Sequence, residues 1–248
     1  MQNTFSRFEF KYPIQDHLIS RIEDDLLLLG FKRDVKFSSG QYTVSSVYFE
    51  TPHLSDFFDK IGGILGRRKV RARIYGKEVN NTDRSRPSVS LEIKEKYDMM
   101  ICKRRIWITP EEWETLLESP HAAYRKISSR RVGKERHVAD DFIFLLASQQ
   151  RKPFLLVQYE RKAFELGASD NPIRITLDFD IFAKKTHLFS PHPNVAVSRK
   201  KAVMELKFKD RLPWQVKFLL TKYNLKRDAY SKYAASVDAV KKFYPISR

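Results

Sequence analysis

Three pairs give this sequence the means to handle phosphate: Glu9 and Lys11, Glu92 and Lys94, and Glu205 and Lys207 each stand two residues apart. Side chains two apart on an extended strand share a face. Each pair would therefore show a carboxylate and an ammonium to the same side. The same spacing aligns Lys69 with Arg71 and Arg73, Lys103 with Arg105 and Trp107, Tyr159 with Arg161, and Arg174 with Thr176 and Asp178. The opposite faces are mostly apolar, as in Val70, Ala72 and Ile74, in Leu91 and Ile93, and in Met204, Leu206 and Phe208.

Two arrangements fit this alternation. In an open antiparallel sheet the charged rows are wet and pair across strands. In a sheet closed into a barrel, helices cover the apolar outside and the charged rows line a lumen. Such a lumen cannot stand dry, because unpaired buried charge is costly. It needs a polyanion, counterions or water inside, and so implies a phosphate-rich ligand. Lysines hold phosphate oxygens, and the carboxylates among them suit a hard cation, Mn2+ or Mg2+, bound together with phosphate.

Composition points the same way. Of 248 residues, 47 are Lys or Arg and 30 are Asp or Glu, a net charge of +17. That balance favours nucleic acid, anionic membrane or phosphate-rich molecules. A specific nucleic-acid partner is disfavoured, because the basic residues alternate with acids inside strands instead of forming a stripe with stacking aromatics. Phe8, Phe10, Phe179 and Phe208 fall on the apolar faces and read as core. The single cysteine, Cys102, suits a reducing compartment. No apolar run approaches the roughly 20 residues that span a bilayer, and the first residues lack a signal-peptide core. These features predict a cytoplasmic protein that meets a membrane only through surface charge or a partner.

The rows need strands to carry them. Residues 5–12 alternate as a strand that Pro13 should end, and further strands are expected at 42–51, 67–76, 90–97, 101–109, 154–166, 173–181 and 202–209. Helical spacing appears over 14–29, with Gly30 as a stop, and a short helical turn should follow Thr51-Pro52. A polar loop is expected over 78–87. Thr109-Pro110-Glu111-Glu112 reads as a capped helix start. The chain is thus read as one α+β domain over 1–248. It has about eight strands, a helical insertion at 110–150 broken near Pro120 and Gly133, and closing helices at 213–243.

The strings RFEFKY, YTVSSVYFET, GRRKVRARIYG, LEIKEK, KRR, YERKAFE, RITLDFD, MELKF and YSKY occur in that order between Phe5 and about Val237. This series resembles the VTC domain, the polyphosphate polymerase module of the CYTH-like triphosphate tunnel superfamily. The resemblance implies an eight-stranded antiparallel β-barrel, the triphosphate tunnel fold, with helices packed outside. It implies transfer of the ATP γ-phosphate to a growing polyphosphate chain with Mn2+ or Mg2+. ATP and inorganic polyphosphate would be the partners, and a membrane protein a further one. Arg71 and Arg73 would contact nucleotide phosphates. Lys11, Lys94, Lys103, Arg105, Arg161 and Arg174 would line the tunnel, joined by Lys69 and Lys207 on the same rows. Glu205 would be the main metal ligand, with Glu9 and Glu92 as further candidates. Ser231 and Lys232 would sit at a tunnel mouth by the start of the last helix, a place suited to phosphate. Lys94, Arg71, Arg73, Arg161 and Glu205 are the implied catalytic set.

Phosphoryl transfer to an ionised phosphate is mainly positioning and charge neutralisation, so no protein nucleophile is required. His17, His53, His121, His137, His187 and His192 lie off the motif strands and read as structural or surface residues. Related triphosphatases begin with a Glu-x-Glu-x-Lys strand, whereas here Arg7 takes the first acidic position, which favours the polymerase branch. Glu50 stands where the family pattern has Asp. Eukaryotic relatives carry an inositol-phosphate-sensing domain and membrane helices, which this sequence lacks. A triphosphatase on the same tunnel and a non-catalytic polyphosphate-binding module are the competing readings.

Overall fold

The computed structural model describes residues 8–34, 40–76, 88–98, 100–167, 172–186, 189, 195–197 and 201–243. Arg7, the 78–87 loop, His187 and His192 lie outside the described residues.

Period-two alternation produces the strands it promised. β1 (Phe8–Gln15), β2 (Lys32–Arg33), β3 (Gln41–Glu50), β4 (Gly66–Tyr75), β5 (Val89–Tyr97), β6 (Met100–Ile108), β7 (Lys152–Leu166), β8 (Ile173–Lys185), β9 (Val195–Ala196) and β10 (Lys201–Phe208) form one sheet. Eight of them run in the order β1-β10-β8-β7-β3-β4-β5-β6, all antiparallel. The two-residue β2 and β9 attach to β7 and β8; they are too short to show a period in sequence.

Register decides which rows meet. Lys11 faces Glu205, Lys207 faces Arg174, and Asp178 faces Arg161. Arg71 faces both Tyr48 and Glu92, and Lys94 faces both Lys69 and Lys103. Opposed residues lie on one side of a sheet, so every charged row falls on the same, concave face.

The convex face is apolar and covered. α3 (Pro110–Glu118), α4 (Pro120–Ala123) and α5 (Gly133–Ser148) bring Trp113, Leu116, Phe142 and Leu146 onto Val70, Leu91, Ile93 and Ile106. α1 (Ile19–Leu28) and α6 (Trp214–Lys222) bring Ile22, Leu26, Val216 and Leu219 onto Phe164, Leu177, Met204 and Leu206. Each such fully buried aliphatic side chain contributes about 1.5–3 kcal/mol. The capping box at Thr109 and Glu112 forms as read.

Three features differ from the sequence expectations. β1 runs through Pro13 to Gln15, because it lies at the end of the sheet path with only β10 beside it, where a missing N–H is tolerated. The helix α7 (Lys232–Phe243) packs on the concave face instead of outside. There the inward residues of β3, β7, β8 and β10 turn apolar, at Val44, Leu155, Val157, Ala183 and Val203, and Tyr233, Val237 and Val240 cover them. The helix α2 (Ser55–Ile61) adds Phe57 to this cluster. Finally, β1 and β6 end the path with no ladder between them among the described residues, so the sheet curls without closing through its backbone.

Candidate functional site: a cationic lumen

The remaining part of the concave face, together with the free edge of β6 and the start of α5, bounds a cavity of about 1690 Å³. Among the described residues, eighteen lysines and arginines line it against six aspartates and glutamates. All the predicted tunnel residues converge here: Lys11, Lys69, Arg71, Arg73, Lys94, Lys103, Arg105, Arg161, Arg174, Lys207, Ser231 and Lys232, with Glu9 and Glu205.

Glu92 is placed differently. It is fully buried beneath the wall, and its carboxylate accepts from Arg71 Nε at 2.8 Å and Nη2 at 2.6 Å. Lys103 Nζ lies 2.5 Å from its other oxygen. Burial pushes the Glu92 acid up, but Arg71, Arg73 and Lys103 hold it well below the usual carboxylate range.

A second cluster surrounds Glu205. Lys232, from the start of α7, reaches both Glu205 Oε1 and Asp178 Oδ2 at 2.5 Å. Arg161 forks onto Asp178 at 2.6 and 2.7 Å and lies 3.6 Å from Glu205. Lys207 and Lys11 stand 3.6 and 3.8 Å from Glu205. Lys11 also lies 3.5 Å from Glu9, which accepts two 3.0 Å bonds from Lys94. Burial raises the Glu205 and Glu9 acids, yet the surrounding ammonium and guanidinium groups keep both ionised well below the ordinary range.

Several lining cations form no ion pair with a carboxylate among the described residues, Lys69, Arg73 and Arg105 among them. Lys69 donates to Ser231 Oγ at 2.8 Å and sits over the Tyr233 ring. Arg73, only 6% exposed, donates to Ser46 Oγ and lies over Tyr75. Arg105 lies over Trp107. Burial, with Lys11, Lys94 and Arg71 nearby, pushes the Lys69 ammonium well below its usual value. Burial likewise lowers Lys103 to about 7 and Lys207 to about 8, against the pull of Glu92 and Glu205. An anion is the missing counter-charge for such a set.

The donor chemistry fits a hard divalent cation. No cluster of three or more His, Cys, Asp or Glu residues arranged for a metal occurs among the described residues. Mg2+ and Mn2+ bound through one or two carboxylates and several phosphate oxygens need no such cluster. Glu205 and Glu9, joined through Lys11, offer that carboxylate pair. Glu92 does not, since it is fully buried beneath the wall and does not line the cavity; a cation at Glu9 and Glu205 would take the place of the Lys94 and Lys232 ammonium groups that hold them here.

Asp178, Tyr48 and Tyr159 were not singled out as site residues from sequence. Asp178 shares a face with Arg174, which was visible, but its role as the anchor of Arg161 and Lys232 depends on cross-strand register. Tyr48 Oη accepts from Arg71 Nη1 at 3.1 Å, a contact set by the register between β3 and β4. Of the histidines, His17, His53, His121 and His137 are exposed, and His137 borders the cavity.

The VTC domain family model matches residues 6–241. Subunit 4 of the vacuolar transporter chaperone complex of Schizosaccharomyces pombe is 22% identical over 197 residues, which is 73% of this chain. The match spans about a quarter, 26%, of that longer protein. Among solved structures, a candidate adenylate cyclase from Bacillus halodurans aligns with a TM-score of 0.49 at 10% identity, over 96% of this chain and 97% of its own. A Hippeastrum protein, described as a candidate adenylyl cyclase with dominant triphosphatase activity, aligns with a TM-score of 0.47 at 12% identity, over 94% of each chain.

Proposed function

The chain belongs to the VTC domain family, and we propose that it is a metal-dependent polyphosphate polymerase. In this proposal it moves the γ-phosphoryl group of ATP onto the end of an inorganic polyphosphate chain held in the lumen. The observation that carries the reading is a set of cations with no ion pair among the described residues, half-buried Lys69, buried Arg73 and exposed Arg105, facing a cavity large enough for a chain of phosphates.

Two polyanions must be brought together in line. Arg71 and Arg73 would hold the nucleotide phosphates, and Lys94, Lys103 and Arg161 would hold the transferring group and the acceptor end. A terminal phosphate oxygen of the acceptor bonds to the γ-phosphorus as the bond to the β–γ bridging oxygen breaks, and ADP leaves. The acceptor is already ionised, so no strong base is needed. The carboxylates of Glu9 and Glu205, held ionised far below neutrality, are poor bases, which favours this acceptor over a water that must be deprotonated. Glu205, with Glu9, would hold Mn2+ or Mg2+, and the chemistry that ion would supply is neutralisation of phosphate charge. Glu92 serves as the counter-ion that fixes Arg71 and Lys103.

The named relative is a subunit of a complex, which supports a partner for this chain as well. No helix among the described residues is long and apolar enough to cross a membrane. A cytoplasmic location and a membrane-protein partner are parts of the proposal.

Incubation with ATP and Mn2+, followed by gel analysis and an ADP assay, tests the reading. Polymer and ADP appearing together support it. Free phosphate without polymer would replace it with a triphosphatase. Tight tripolyphosphate binding without turnover would leave a binding module.

A further inference from the structure

Aromatic side chains gather at one place on the wall of the lumen, where Tyr42 is buried and Tyr75 half-buried. Tyr42, Tyr75 and Trp107 come from β3, β4 and β6, all on the concave face, and all line the cavity. The Tyr75 and Trp107 rings are 6.2 Å apart at 48°, and Tyr42 and Tyr75 are 6.3 Å apart. Trp107 is 37% exposed, unusual for the largest apolar side chain in an inward row. Two of these rings are coupled to a cation two residues earlier on the same row. The Arg105 guanidinium is 5.7 Å from the Trp107 ring centroid, and that of Arg73 is 5.8 Å from Tyr75.

We propose that Trp107 and Tyr75 form a stacking platform for the base of a nucleoside triphosphate whose phosphates run along Arg105, Arg73 and Arg71. The inference rests on the lumen being a phosphate site, and adds what distinguishes a nucleotide from bare tripolyphosphate there. The spacing suits the ligand. Arg73 and Arg105 stand two residues along the same rows from Tyr75 and Trp107, so phosphates on the guanidiniums place the sugar and base at the rings. The platform recognises a π-face, which every base has, so it binds purine nucleotides with little discrimination between adenine and guanine.

The test compares ATP, GTP and inorganic tripolyphosphate on the full chain by calorimetry, for the wild type, Trp107→Ala and Trp107→Phe. Stacking on one aromatic predicts that Trp107→Ala weakens ATP and GTP by roughly 5- to 150-fold. Tripolyphosphate affinity should stay within about twofold of wild type, and Trp107→Phe should recover most of the nucleotide affinity. Quenching of tryptophan fluorescence by ATP but not by tripolyphosphate should vanish in both variants.

Equal losses for ATP and tripolyphosphate in Trp107→Ala would overturn the platform, because the ring would then act only by supporting Arg105. Unchanged ATP affinity would overturn it as well, while leaving the phosphate site standing. A strong preference for ATP over GTP in the wild type would contradict recognition by stacking. Failure of the wild type to bind even tripolyphosphate would remove the lumen reading and the platform together.

Discussion

The ammonium of Lys94 on β5 lies 3.0 Å from both carboxylate oxygens of Glu9 on β1, although five strands lie between them along the sheet. The contact shows how tightly the sheet curls. It also closes side chain to side chain what the backbone ladder leaves open. The pair is partly solvated, with side chains 24% and 11% exposed, so it adds at most about 1 kcal/mol to stability. Its main effect is to hold an ammonium over the lumen.

Lys94→Ala should therefore hurt turnover far more than folding. Removing one preorganised charge from a phosphoryl-transfer site costs about 10²–10³ in rate. Polymer formation should fall by that factor while the melting temperature moves little. A comparable loss in both would mark Lys94 as structural.

Lys69→Met should do the reverse for stability. Lys69 is desolvated and faces Ser231 and Tyr233 with no acid. Replacing it with an apolar chain should stabilise the unliganded protein by about 1 kcal/mol, a rise of roughly 2–4 °C in Tm for a chain of this size. Tripolyphosphate should bind roughly 10- to 150-fold more weakly, the worth of a charge-assisted hydrogen bond. A melting curve and a titration on the same sample check both.

Phosphate affinity should fall as pH rises. Burial lowers Lys103 to about 7 and Lys207 to about 8, and an anion favours their charged forms. Binding above pH 7 must therefore take up protons, which calorimetry in buffers of differing ionisation enthalpy would register. Unfolded lysine keeps its proton to about pH 10.4. From about pH 7 to 10 the unfolded chain thus holds more protons at these positions than the folded one, and their contribution to unliganded stability rises with pH. The Tm increase produced by tripolyphosphate should be larger at about pH 6.5 than at about pH 9, the opposite of the trend these lysines give the unliganded protein.

Asp56→Ala should destabilise without touching the lumen. Asp56 accepts from Arg151 at 2.7 and 2.8 Å, and the two side chains are 5% and 3% exposed. Leaving Arg151 buried and unpaired costs about 3–5 kcal/mol. Denaturant unfolding should show that loss, and Asp56→Asn should soften it.

Some of this protein is written in its sequence and some is not. Alternation by itself settles that Lys69, Arg71 and Arg73 share a face, as do Glu205 and Lys207, because the pleat of a strand is a local property of the backbone. The capping box at Thr109 is local too, and it formed as read. Local pattern could not say that α7 would enter the concave face. That depended on Val44, Leu155, Val157 and Val203, from four separate strands, adding up to an apolar patch that had to be covered. Nor could it show that Pro13 sits on an edge, where its missing N–H costs little. The tertiary structure alone decided which charges are neutralised. Glu92 is spent on Arg71 and Lys103, and Glu205 on Lys232, a residue that arrives from a different element. Lys69 and Arg73 are left facing the cavity. The reason is geometric: an ion pair forms or fails over a few ångströms, and those distances are set by register and curl, which pairwise spacing along a chain does not contain.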